Sequence, residues 1–148
     1  MIHQAHPMTA SCFVPGVPIP KGSTKAFPFR RKNGQLGVAV TAANDKTKPW
    51  QQAIAKVAKK ELSWNGEVWT GPVRMSAFFY LPRPKSLKKS IVYHLKKPDL
   101  DKLARAVGDA LIGIAYVDDS QIVGWNKTKA YAPGAQVGVQ LQVERVPL

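Results

Sequence analysis

Five of the nine acidic residues, Asp99, Asp101, Asp109, Asp118 and Asp119, fall within the 21 positions from 99 to 119 of a chain whose formal net charge is +13. Grouped carboxylates repel a polyanion unless a divalent cation bridges them, and hard oxygen ligands are what Mg²⁺ prefers. The cluster therefore points to a metal site that can receive a phosphate. Residues two apart share a face in extended chain but point ~200° apart on a helix. Pro98 biases Lys97 towards extended backbone, so Asp99 is expected at or just before a helix start and Asp101 in its first turn, with carboxylates able to converge. In YVDDSQIV the neighbours Asp118 and Asp119 cannot easily both face one ion, so one is expected as ligand and the other as a turn-stabilising group. An ordinary reading stays open: Asp99 as an N-cap, Asp101 as a favourable first-turn charge, and the Asp118-Asp119 pair as an Asx turn.

The elements that must position these acids follow from periodicity. Leu100, Leu103, Ala104, Val107, Leu111 and Ile114 recur at three- and four-residue spacing, which predicts a helix over 99–114 that Gly113 helps to stop. Lys48 to Leu62 repeats the signal with Trp50, Ile54, Val57, Ala58 and Leu62, and Trp50 reads as core. Val73 to Leu81, bounded by Pro72 and Pro82, predicts a central strand. Shorter strands are expected at 11–17, 37–41, 121–128 and 136–146. Residues 1–10 lack periodicity and read as a flexible tail carrying His3 and His6. Residues 11–148 then form a single domain, of α+β (mixed α/β) class with a mixed β-sheet and two principal helices. The intervening 18–34 segment reads as a long basic loop whose Phe27 and Phe29 suit base stacking or simple anchoring.

Charge narrows the partner. Twenty-two Lys plus Arg against nine Asp plus Glu create a field that attracts polyanions, and nucleic acid leads among them. The phosphate contacts are expected from Lys21, Lys25, Arg30, Arg31, Lys32, Arg83, Lys85, Lys88, Lys89, Lys96, Lys97, Lys127 and Lys129. No run approaches the ~18 apolar residues of a membrane span, and no signal-peptide pattern opens the chain, so a cytoplasmic protein with no membrane partner is expected. Cys12, a lone cysteine, forms no internal disulfide or thiolate zinc cluster and reads as buried packing. No Ser-His-Asp or Cys-His arrangement stands out, and His94 reads as a surface residue before the basic run.

KKPDLDKLARAVGDAL followed by YVDDSQIV resembles the signature of the RusA family of Holliday-junction resolvases: Asp-x-Asp, an amphipathic helix, then Asp-Asp before a strand. FVPGVPIPK near the start is a weaker likeness to phage members. The resemblance implies a crossover junction endodeoxyribonuclease of DNA recombination and repair. It implies that Asp99, Asp101 and Asp119 bind Mg²⁺ (Mn²⁺ able to substitute) and activate water, with Asp118 the alternative within the pair. It also implies a homodimer that nicks two opposed strands of branched DNA, a four-way junction. The family usually has lysine four residues after the second aspartate, where this chain has Arg105. Arginine keeps the charge but does not deprotonate, which favours phosphate clamping over proton transfer. Arg105 is equally placed to bridge Asp101 and Asp109 along the helix surface. Two rival functions remain: a non-catalytic basic nucleic-acid-binding module, and a metal nuclease acting on flaps or duplex DNA.

Overall fold

The computed structural model describes residues 8–22, 24–42, 45–62 and 66–147, and of residues 24–27 and 38–42 only the backbone. In chain order these form strands β1 (Thr9–Pro15), β2 (Thr24–Arg30) and β3 (Leu36–Ala42), helix α1 (Thr47–Glu61), strand β4 (Val73–Leu81), helix α2 (Leu100–Ala110), a 3₁₀ turn (Asp119–Gln121), and strands β5 (Ile122–Tyr131) and β6 (Gly138–Arg145). Among the described residues the class is α+β, with a four-stranded mixed sheet in the order β1-β6-β4-β5 and a separate β2-β3 ribbon.

Alternation in VRMSAFFYL explains the centre. Val73, Met75, Ala77, Phe79 and Leu81 are buried on one face of β4, and Phe78 and Tyr80 stack at 4.6 Å on the other. β4 pairs antiparallel with β6 and parallel with β5. A parallel pair cannot be joined by a hairpin, and α2 supplies the crossover. This connection lays α2 against β5.

Both helices cover the same side of the sheet. α1 buries Trp50, Ile54 and Ala58, spaced by four, and α2 buries Leu103, Ala106 and Val107. Each such large apolar side chain contributes roughly 1.5–3 kcal/mol on burial. Gln51 Nε2 donates to Ala106 O at 3.0 Å and ties helix to helix. Trp50 also packs on Gly16, where φ is +129° and an added Cβ would stand 3.0 Å from the indole ring, so glycine is required there by both strain and space. Cys12 lies in the same core, and burial, with Glu61 adding to it, pushes its thiol up to about 11. It is inert packing.

Several sequence expectations change. The first strand begins at Thr9, paired with Glu144, so residues 9 and 10 belong to the sheet and not to a tail. His3 and His6 lie outside the described residues. The segment expected as a basic loop contains β2, paired residue for residue with β3 from Thr24↔Ala42 to Arg30↔Leu36. Pro28, which cannot donate to a ladder, concealed it; a two-stranded ribbon has open edges that tolerate proline. α2 ends at Ala110 rather than 114, because Gly113 (φ +82°) reverses the chain and its N–H donates to Tyr116 O at 2.7 Å.

Candidate metal and DNA-binding site

Asp99 is the N-cap of α2, extended at φ −70° and ψ 142°, yet its side chain caps nothing; Oδ2 faces Lys102 Nζ at 4.0 Å. Asp101 follows in the first turn. Along the helix, Asp101, Ala104, Arg105 and Gly108 form a stripe spaced three and four apart, turned away from the buried stripe of Leu103 and Val107. The stripe faces Asp119, Ile122 and Trp125 from the other side, and together they enclose a cleft of about 260 Å³ between α2 and β5. Gly108 keeps its floor open: an added Cβ would reach the Trp125 ring at 3.6 Å and Ile122 at 3.8 Å.

The Asp118-Asp119 pair is divided by local hydrogen bonding. Asp118 is the N-cap of the 3₁₀ turn, and its Oδ2 accepts from Ser120 N at 3.1 Å. Bonding to the Ser120 side chain, and next to its backbone, holds the Asp118 carboxyl below its ordinary range. Asp119, which makes no such bond among the described residues, lines the cleft. Gln121 locks the turn: Oε1 accepts from Val117 N and Asp118 N, both at 2.9 Å, while Nε2 donates to Trp69 O at 2.8 Å and Gly71 O at 2.9 Å. Tyr116 fastens it from beneath, its buried hydroxyl donating to Gly108 O at 2.6 Å. Burial first, then the charges of Asp119 and Asp118, push that phenol above the usual tyrosine range. Gln121 was missed in the sequence, although Asp118-x-x-Gln121 is a legible capping box.

Asp101, Arg105 and Asp119 are thus brought to one cleft, and Asp99 and Asp118 do not line it. Among the described residues no three His, Cys, Asp or Glu side chains stand together as a metal cage. The donor set still suits a hard cation, because Mg²⁺ keeps several waters and is commonly anchored by one or two carboxylates. Asp101 and Asp119 are both exposed and both oxygen donors. Arg105 forms no ion pair with Asp101 or Asp109 among the described residues. Asp109 is instead paired with Lys21, whose backbone N–H donates to Lys102 O of the same helix at 3.0 Å. Arg105 itself lines the cleft.

The basic residues sort into two groups. Arg30, Arg31 and Lys32 are exposed at the β2-β3 tip, where the Arg31 guanidinium lies 5.9 Å from the Phe29 ring centre. Lys85, Lys88, Lys89, Lys96 and Lys97 are exposed between β4 and α2, and Lys127 is half-buried on β5. The side chains of Lys25 and Phe27 lie outside the described residues. Three candidates carry structural work instead. Lys21 pairs with Asp109, Arg83 donates to Ile91 O (2.6 Å) and to Lys88 O, and Lys129 donates to Lys96 O and Pro98 O. His94, expected at the surface, is half-buried there and set 4.9 Å from the Tyr131 ring. Burial, then the charge of Lys129, lowers its pKa. None of the described helices is long and apolar enough to cross a membrane.

Comparison with known proteins shows the family. The chain is 31% identical over 121 aligned residues to the uncharacterized protein YqaN of Bacillus subtilis (strain 168), covering 75% of this chain and 82% of that protein. It matches the family of endodeoxyribonuclease RusA over residues 15–142, a span that holds the Asp-x-Asp segment, the Asp-Asp turn and the cleft between them. The chain belongs to the RusA endodeoxyribonuclease family.

Proposed function

We propose that this protein is a Mg²⁺-dependent, structure-selective endodeoxyribonuclease that resolves four-way DNA junctions in recombination and repair, working in the cytoplasm as a homodimer. The observation that carries the reading is the convergence of Asp101, Asp119 and Arg105 on one open cleft in a strongly basic RusA-family chain. Asp101 and Asp119 would hold the ion, Mn²⁺ substituting for Mg²⁺, with Asp99 as a further ligand. Held there, the ion would supply a water of lowered pKa and charge stabilisation for the phosphoryl and leaving oxygens. Arg105, permanently charged and with a planar fork of donors, clamps the phosphate from the α2 wall, one helical turn after Asp101. Trp125 and Ile122 close the remaining side and limit access of bulk water. A two-fold dimer supplies two such clefts for paired nicks on opposed strands.

The reading is tested by incubating the protein with a four-way junction, a flap and a linear duplex, with Mg²⁺ and with EDTA, while light scattering follows its mass. Paired nicks confined to the junction and to Mg²⁺, from a species of twice the chain mass, are expected. Cleavage of flap or duplex at equal rate would redefine the substrate, and binding without metal-dependent cleavage would leave only a DNA-binding module.

The β2-β3 tip carries an independent expectation. Replacing Arg30, Arg31 and Lys32 together by alanine should flatten the log–log dependence of junction affinity on salt by up to roughly 0.9 for each phosphate that the tip no longer neutralises. An unchanged slope would mean that the tip does not touch DNA.

A further inference from the structure

Residues 92–98 run beside the outer edge of β5. Tyr131 N donates to Val92 O at 2.9 Å, and Tyr93 bridges Ala130. The backbone just before Asp99 is tied by one side chain: Lys129 Nζ donates to Lys96 O at 2.6 Å and to Pro98 O at 2.8 Å. Lys129 stands opposite Phe79 in the β4-β5 register, as Trp125 stands opposite Met75, so both belong to the helix-covered face that carries the cleft. It is half-buried, and two of its three N–H groups are already spent on carbonyls.

From this we infer that Lys129 is a positioning residue for the nuclease site, holding the backbone that presents Asp99 and Asp101, and that it is not a DNA-phosphate contact. The inference rests on the proposed metal role of those aspartates. Charge-assisted bonds to two carbonyls are stronger than neutral ones. Turning the ammonium to a phosphate would strip both carbonyls of their donor and release the chain immediately before the α2 N-cap. Side chains that orient metal ligands act through such indirect contacts, and their loss commonly costs 10–100-fold in metal affinity or activity.

The test compares wild type, Lys129→Met and Lys129→Arg as full-length proteins. Mn²⁺ binding is followed by electron paramagnetic resonance, junction affinity is measured across salt in EDTA, and cleavage is measured in single turnover. Lys129→Met should weaken Mn²⁺ binding and slow cleavage, each on the order of 10–100-fold, with the salt slope unchanged. A slope flattened by roughly 0.9 with wild-type Mn²⁺ affinity would overturn the inference. Should Lys129→Met fail to fold, Lys129→Arg decides. Arginine keeps the charge a phosphate needs but presents a rigid planar fork in place of a compact ammonium. Weaker Mn²⁺ binding at unchanged slope supports the inference, and wild-type Mn²⁺ affinity overturns it. Failure of the metal site itself reads differently: wild type would take up no more Mn²⁺ than Asp101→Asn.

Discussion

Asp101→Asn is expected to reduce junction cleavage by roughly 10³-fold, since a metal ion's transition-state stabilisation is worth several kcal/mol and each 1.36 kcal/mol is a factor of ten. Junction affinity should hold or rise, because the lost ligand is also a charge that repels phosphate. Asp119→Asn should behave alike, as the other carboxylate lining the cleft. Asp118→Asn should do far less: asparagine retains an oxygen for Ser120 N and the exposed turn keeps its cap. The Asp118 carboxyl sits below its ordinary range, so what its ionised form contributes to the turn is present at neutral pH and is lost only as pH falls through that lowered value. Single-turnover cleavage beside gel-shift affinity measures all three variants. Metal-dependent nicking by Asp101→Asn at near wild-type rate would remove it from the site, and greater sensitivity at Asp118 would reverse the choice within the pair.

Gln121→Leu is the second large effect, and it acts on both stability and rate. The side chain makes four hydrogen bonds that join the acidic turn to the Trp69–Gly71 segment. Val117 N and Asp118 N can rehydrate, whereas Trp69 O and Gly71 O lose donors in a partly buried setting. At about 1 kcal/mol net per bond, urea unfolding should report a loss of roughly 2–4 kcal/mol. Among molecules that remain folded, Asp119 is no longer held to the cleft wall, and cleavage should fall on the order of 10–100-fold with DNA affinity unchanged. A folded Gln121→Leu protein that cuts at the wild-type rate would show that the turn needs no such lock.

The parts of this protein written in local order were legible in its sequence. The apolar spacing of Trp50, Ile54 and Ala58, the stripe of Leu103 and Val107, and the run of strand formers from Val73 to Leu81 between two prolines each predicted an element that forms. Periodicity alone decides which face is apolar, and the apolar face is the one that is buried. The acidic cluster was equally plain, because carboxylates concentrated in a basic chain have few explanations that do not involve a cation. Local capping chemistry was available too: Asp118-x-x-Gln121 separates the capping aspartate from its neighbour.

What only the tertiary structure decided is the identity of partners distant along the chain. Asp101 and Asp119 meet because the crossover between two parallel strands lays α2 against β5, a consequence of sheet order that no local pattern encodes. The lysines and arginines show the same limit. Sequence records their charge, but whether that charge faces solvent depends on which backbone carbonyl or carboxylate comes within reach. For Lys129 these are Lys96 O and Pro98 O, 33 and 31 residues away, and for Lys21 it is Asp109, 88 away. A cation that finds such partners is withdrawn from the DNA field, whereas Arg30, Arg31 and Lys32, exposed at the tip of an isolated ribbon, remain available to it.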